Sequence, residues 1–307
     1  MSVAHPDLSV EIAGIRMKNP IMPASGTFGY GMEYESYLDL SALGAIVTKA
    51  VTLEARKGNP PPRLRETPAG MLNAIGLQNP GAEAFIAEKL PQLREFAVPI
   101  IINISGRSVE EFMRLAEMLS VDGVDALEVN ISCPNVEQEG MSFGVDCEMT
   151  GRLTDAVAGA TDLPIIVKLS PNVTDITVIA RAAAEAGAHA LSLINTLLGM
   201  SIDVETRRAH LANITGGLSG PAIRPVAVRM VHQVAGAVEL PLIGMGGVMS
   251  ATDALEMIIA GASAVAVGTA NFVEPETMPQ MLKGLADYCR RNQIGRITDL
   301  VGTLESA

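Results

Sequence analysis

The stretch with the most chemical capacity in this sequence is Asn130-Ile-Ser-Cys-Pro-Asn135, which follows the apolar run Ala126-Leu-Glu-Val129. A run that ends in amides, a hydroxyl and a thiol is poorly suited to packing and well suited to holding a polar ligand. A free cysteine most often serves as a small buried hydrophobe. The position of Cys133 before Pro134 in a polar loop argues instead for a chemical role. A thiol with a reference pKa near 8.5 is only a few per cent ionised at neutral pH, so it needs help from a nearby cation. Cys147 and Cys289 lie outside this stretch and read as structural.

Lys49 and Lys168 each close an apolar run, which places their stems in or beside a core. A lysine is rarely buried without a partner. Each either holds an anion or an electron-rich ring, or pairs with an internal carboxylate such as Glu128. Asn73, Asn103, Asn130 and Asn195 offer neutral donors and acceptors suited to the edge of a planar heterocycle. The competing role is loop capping, which is common for Asn. Gly244-Met-Gly-Gly247 and Gly268-Thr269 end two further apolar runs, where backbone N–H groups can receive a phosphate. The first motif falls short of GxGxxG because Met249 stands in the last place, and alone it marks only a tight turn. The four histidines are scattered without ligand spacing, and no HExxH occurs. Three cysteines without CxxC spacing argue against a disulfide framework and a Cys₄ zinc site, and are one short of an all-cysteine iron–sulfur cluster.

These groups need elements to position them. Eight short apolar runs recur: Pro20–Ala24, Ala45–Lys49, Pro99–Ile104, Ala126–Asn130, Pro164–Leu169, Ala190–Asn195, Pro241–Gly244 and Ala264–Gly268. Their near-continuous apolar character fits parallel strands covered on both faces. Helical stretches lie between them, such as Ser108–Leu119, Asp175–Ala186 and Ala251–Ala260. In the first, Val109, Phe112, Met113 and Ala116 have the spacing of one helix face. Gly187 and Gly261 stand where a terminal glycine belongs. The pattern predicts an α/β fold, a (β/α)₈ barrel, with a doubly wound sheet as the alternative. A barrel would bring all the strand ends to one mouth: Ser25, Lys49, Asn103 with Ser105, Asn130 with Cys133, Lys168, Asn195 with Thr196, Gly246-Gly247 and Gly268-Thr269. An N-terminal hairpin, Leu8–Lys18, precedes the repeat, and loops 51–98, 132–146 and 197–239 interrupt it.

With 307 residues, 48% of them hydrophobic and 18% charged, the chain suits one large domain, residues 1–307. A net charge of −12 and 3% aromatics argue against nucleic acid as a partner. The N-terminus lacks the pattern of a secretory signal, and no run of about eighteen apolar residues suggests a membrane span. A cytoplasmic protein with reduced thiols is the expectation.

Together, Asn130–Asn135, Asn73-Ala-Ile-Gly-Leu-Gln-Asn-Pro80, Ala24-Ser-Gly-Thr-Phe-Gly-Tyr-Gly31 and Gly244–Gly247 resemble the signatures of dihydroorotate dehydrogenases, from about Leu8 to about Gly284. The resemblance implies FMN at the mouth of a barrel. Its phosphate would rest on Gly220, Gly246, Gly247, Gly268 and Thr269, and its ring near Ser25, Lys49, Ala50, Asn103, Asn130, Lys168 and Ile194. Dihydroorotate would meet Lys49, Asn73, Ala74, Ile75, Gly76, Leu77, Asn130, Asn195 and Thr196, with Cys133 as general base and residues 132–146 as a lid. Cysteine at the base position separates this chain from the membrane-bound, quinone-linked branch. The segments Gly26–Gly31 and Asn135–Gly144 are similar to the NAD-linked branch. That branch implies a homodimer of this chain with two partner subunits carrying FAD and a 2Fe–2S cluster, a heterotetramer. The alternatives are a fumarate-linked enzyme without a partner, and a non-redox sugar-phosphate barrel using Lys49 or Lys168.

Overall fold

The computed structural model describes residues 5–132 and 143–305. The chain opens with the expected hairpin, β1 (Val10–Ile12) against β2 (Ile15–Met17), turned at Ala13-Gly14. Then come β3 (Ile21–Pro23) and β4 (Ile46–Val47), and an insertion with β5 (Leu64–Thr67) and β6 (Gly70–Asn73). An irregular helical segment holds α1 (Ala82–Ala84) and α2 (Leu90–Leu93). Next are β7 (Ile100–Ile104), α3 (Val109–Leu119), β8 (Ala126–Asn130), α4 (Cys147–Ala158), β9 (Ile165–Lys168), α5 (Ile176–Glu185) and β10 (Ala190–Leu193). A second insertion carries β11 (Leu197–Met200), β12 (Ile202–Asp203), β13 (Arg208–Ala209) and β14 (Thr215–Ser219). The chain closes with α6 (Arg224–Ala235), β15 (Leu242–Met245), α7 (Ala251–Ala260), β16 (Ala264–Val267), α8 (Ala270–Val273) and α9 (Thr277–Arg291).

Eight parallel strands form one sheet in the order β3-β16-β15-β10-β9-β8-β7-β4. The two ends of that order meet where Gly44 N–H donates to Ile21 O at 2.9 Å, just ahead of β4. A side chain on Gly44 would collide with Asn19 O, so glycine permits the approach that closes the barrel. Every residue of these strands is buried except Asn130, the last of β8, which is half-buried. The fully apolar runs therefore do what their composition implies, with the barrel interior on one face and the helices on the other. The barrel rather than the doubly wound sheet is the outcome.

The helices begin where short polar side chains can cap them. Ser108, Asp146, Asp175 and Ser250 each accept a backbone N–H from the first turn of α3, α4, α5 and α7. The buried face of α3 is Phe112, Leu115, Ala116 and Leu119, rotated from the expected stripe, and Met113 is only partly buried. The two long insertions are not plain loops. They pair across the sequence into a four-stranded antiparallel sheet, β11-β14-β6-β5, with Asn73 opposite Gly217.

Candidate active site

Polar residues on neighbouring barrel strands meet around one carboxylate. Asn103 on β7 lies opposite Glu128 on β8, and Lys168 on β9 lies opposite both Asn130 and Ser192. Glu128, 2% exposed, accepts from Asn103 Nδ2 at 2.6 Å and from Ser192 Oγ at 2.8 Å. Lys168 Nζ stands 3.9 Å from the same carboxylate and donates to Ser25 Oγ at 3.0 Å. The internal ion pair weighed from the sequence thus exists, but the closer contact of the ammonium is the hydroxyl at the end of β3. Among the described residues, Asn103 Oδ1 is buried without a partner, and so are the hydroxyls of Thr48 and Ser105 at adjacent strand ends. Buried acceptors and donors are nearly always paired, so an orphan invites a ligand or water.

Around the rim a second group assembles. Asn195 Nδ2 donates to Asn130 Oδ1 at 3.3 Å, which also accepts Ser132 N–H at 3.2 Å. Ser132 Oγ donates to Lys168 O at 3.3 Å, which holds Ser132 at the carboxyl end of β9. Thr196 N–H donates to Asn195 Oδ1 at 2.7 Å. Asn73 Nδ2 donates to Gly217 O at 3.3 Å, and a side chain on Gly217 would strike Thr196. Asn73 and Thr196 are therefore brought together by the inserted sheet. The segment Ala74-Ile75-Gly76-Leu77 is clasped by Asn59, whose N–H donates to Ile75 O at 2.9 Å and whose Nδ2 donates to Ala74 O at 3.0 Å. Gly76 has φ +77°, and any side chain there would overlap Asn59.

Lys49 follows β4 and is half-buried, beside the buried Ala50. Burial holds its ammonium below the usual lysine range, the Arg63 guanidinium adds to that, and Glu33 opposes it. Two neighbouring cations in a half-dry site suit a carboxylate ligand.

The third group is built from backbone. Gly246 and Gly247 follow β15 with φ +122° and +74°. An added Cβ at Gly247 would lie 2.7 Å from Arg224 Cβ and 2.8 Å from Gly220 O. One at Gly246 would press Ile194 at 3.3 Å. Thr269 Oγ1 donates to Ser219 Oγ at 2.8 Å, which ties the end of β16 to the residue before Gly220. An added Cβ at Gly268 would meet Ala24 Cβ at 3.8 Å and Thr27 at 3.9 Å, ordinary contact distances. Of the five glycine and threonine positions expected at a phosphate site, Gly247 thus lies against Gly220, Thr269 is tied to the residue before Gly220, and Gly246 and Gly268 adjoin Gly247 and Thr269 in the chain. Asp253 secures this frame: it accepts Met249 N–H at 2.9 Å and pairs with Arg224.

Cys133 lies outside the described residues. Cys147 opens α4 and is exposed, whereas Cys289 is buried, so only the second has the setting of a core cysteine. A surface hollow of about 730 Å³, lined in part by Val145, Cys147, Asn172, Val178 and Leu197, lies beside the rim and includes none of the strand-end lysines or asparagines. The converging polar groups, rather than that shallow hollow, mark the site. Sequence reading missed Asn59, Arg63, Ser192 and Ser219. Asn59 and Arg63 lie within the loop 51–98, and nothing local marks the two serines. Among the described residues no cluster of histidine, cysteine and carboxylates could hold a metal, and no helix is long and apolar enough to cross a membrane.

A parallel barrel whose strand ends gather two lysines, three amides and a glycine cradle at one mouth defines the class: a (β/α)₈-barrel protein with a polar site at its carboxyl end. The family model described as dihydroorotate dehydrogenase matches residues 7–288, and the chain belongs to that family of oxidoreductases. It is 57% identical over 99% of its length to the whole of a "Dihydroorotate dehydrogenase B (NAD(+)), catalytic subunit" from Geotalea daltonii. Relatives with the same name from Thermoanaerobacter pseudethanolicus, 52% identical over 97% of this chain and 99% of theirs, and from Desulforudis audaxviator, 59% identical over 96% of each, are equally extensive.

Proposed function

We propose that this chain oxidises dihydroorotate to orotate, a step of pyrimidine synthesis, with FMN bound at the barrel mouth. The observation that carries this reading is the buried Lys168 ammonium donating to Ser25 at the carboxyl ends of the strands, in a chain of this family. The residues fit the group. Gly220, Gly246, Gly247 and Gly268 bring no side chain of their own toward a phosphate and Thr269 adds a hydroxyl beside them, while Asn103 Oδ1 is a buried acceptor without a partner among the described residues. When bound, FMN supplies the hydride acceptor for C–H oxidation. Ser25, Ala50, Asn103, Asn130, Lys168 and Ile194 would surround the ring, and Lys168 would favour negative charge on it.

Lys49 is the natural partner of the substrate carboxylate, with Arg63 nearby. Asn73, Asn130, Asn195 and Thr196 would read the amide edges of the dihydropyrimidine, with Ala74–Leu77 closing over it. Cys133 would take the proton from C5 as a general base while the hydride leaves C6. Residues 132–146, of which 133–142 lie outside the described residues, would exclude water. The relatives' name supports NAD as the final acceptor and a separate partner subunit. This reading makes the chain one member of a cytoplasmic heterotetramer: a homodimer of catalytic chains with two FAD- and 2Fe–2S-carrying electron-transfer subunits. Chromatography of the complex tests the assembly. Acceptor assays test the rest: NAD reduction only in the presence of the iron–sulfur flavoprotein supports the reading. Fumarate reduction by the isolated chain overturns it.

A further inference from the structure

We infer that Glu128 is a positioning residue that decides which end of the Asn103 amide faces the ring, and that it balances the charge of Lys168. An amide can either donate through nitrogen or accept through oxygen. Asn103 Nδ2 donates to Glu128 Oε2 at 2.6 Å. A carboxylate accepts and does not donate, so this contact allows only one orientation. Oδ1 must then point away from Glu128, and it is the atom left buried without a partner among the described residues. Glu128 itself cannot turn aside, because its other oxygen accepts Ser192 Oγ at 2.8 Å. The result is a fixed acceptor in the barrel mouth. Oxidised isoalloxazine carries a single ring N–H, at N3, and that donor is what the acceptor fits. The same carboxylate stands 3.9 Å from Lys168 Nζ, whose short contact is Ser25 Oγ at 3.0 Å. In an interior with little water the carboxylate offsets part of the attraction that Lys168 exerts on an anionic reduced ring.

The inference rests on the FMN reading, so flavin binding by the wild-type chain is measured first, by fluorescence quenching of added FMN and of N3-methyl-FMN. Glu128→Gln keeps the shape but lets the amide of Asn103 turn. The expected result is about a tenfold loss of affinity for FMN, the scale of one buried hydrogen bond, with affinity for N3-methyl-FMN unchanged. The midpoint potential of the bound flavin moves to a more positive value. Equal affinities and an unmoved potential in Glu128→Gln overturn the inference while leaving the FMN reading intact. A wild-type chain that binds neither flavin overturns both. Should the variant not fold, the wild type decides the matter through FMN labelled with ¹⁵N at N3. A bound N3–H resonance shifted to the hydrogen-bonded range supports the inference, and one at the position of free apolar N–H refutes it.

Discussion

At the scale of single residues the proposed mechanism separates proton chemistry from charge recognition. Cys133 is assigned the proton, and Cys133→Ala should slow reduction of the bound flavin by dihydroorotate about 10² to 10⁴-fold while FMN stays in place. Rapid-mixing absorbance measures this, and a variant that reduces its flavin at the normal rate removes Cys133 from the mechanism. Lys49 carries the opposite kind of role. Its ammonium is held below the reference value of 10.5, chiefly by burial and then by Arg63. The folded protein therefore releases this proton at lower pH than the unfolded chain does. The buried charge costs stability at neutral pH, and that cost is relieved as pH rises through the lowered value toward 10.5. Substrate binding should follow the reverse course, with KM for dihydroorotate rising on the alkaline side before an ordinary lysine would titrate. Lys49→Met should raise KM about 10- to 100-fold, the scale of a hydrogen bond to a charged group, and melt no lower than wild type. An unchanged KM would separate Lys49 from the carboxylate.

At the scale of elements the glycine cradle is a demanding local structure. Gly247 has φ +74°, and a methyl group there would meet Arg224 and Gly220 O at under 3 Å. Gly247→Ala should lower FMN affinity more than tenfold, measured against riboflavin, whose affinity should change less because it lacks the phosphate. Equal losses for both ligands would place the phosphate elsewhere. What the sequence revealed at this scale follows from locality. The eight strands and the helices between them declare themselves through apolar runs, helical spacing and the terminal glycines Gly187 and Gly261, because those signals act within a few residues. The inserted sheet does not. Gly70–Asn73 and Thr215–Ser219 are short and glycine-rich, and beyond their local partners β5 and β11 they pair with each other across more than a hundred residues. Glu128 was legible only as one partner for a lysine. Its hold on Asn103 and Ser192 depends on the register of three strands, which composition cannot specify.

At the scale of the whole molecule, barrel closure is what turns scattered residues into a site. Asn103, Glu128, Lys168 and Ser25 are separated by up to 143 positions in the chain, yet form one buried network. The closure itself passes through Gly44, where a larger residue would collide with Asn19 O. Gly44→Val should therefore lower the melting temperature and loosen FMN together, since both depend on β3 and β4 meeting. A variant that melts like wild type would show the seam to be tolerant.

The central claim is that this chain takes hydride equivalents from dihydroorotate into a flavin held at the barrel mouth. Anaerobic mixing of the purified, FMN-containing chain with dihydroorotate tests it most directly. The account predicts that the yellow flavin band bleaches, with one orotate formed for each FMN reduced. A chain that takes up no FMN, or whose bound FMN stays oxidised in the presence of dihydroorotate, would contradict it.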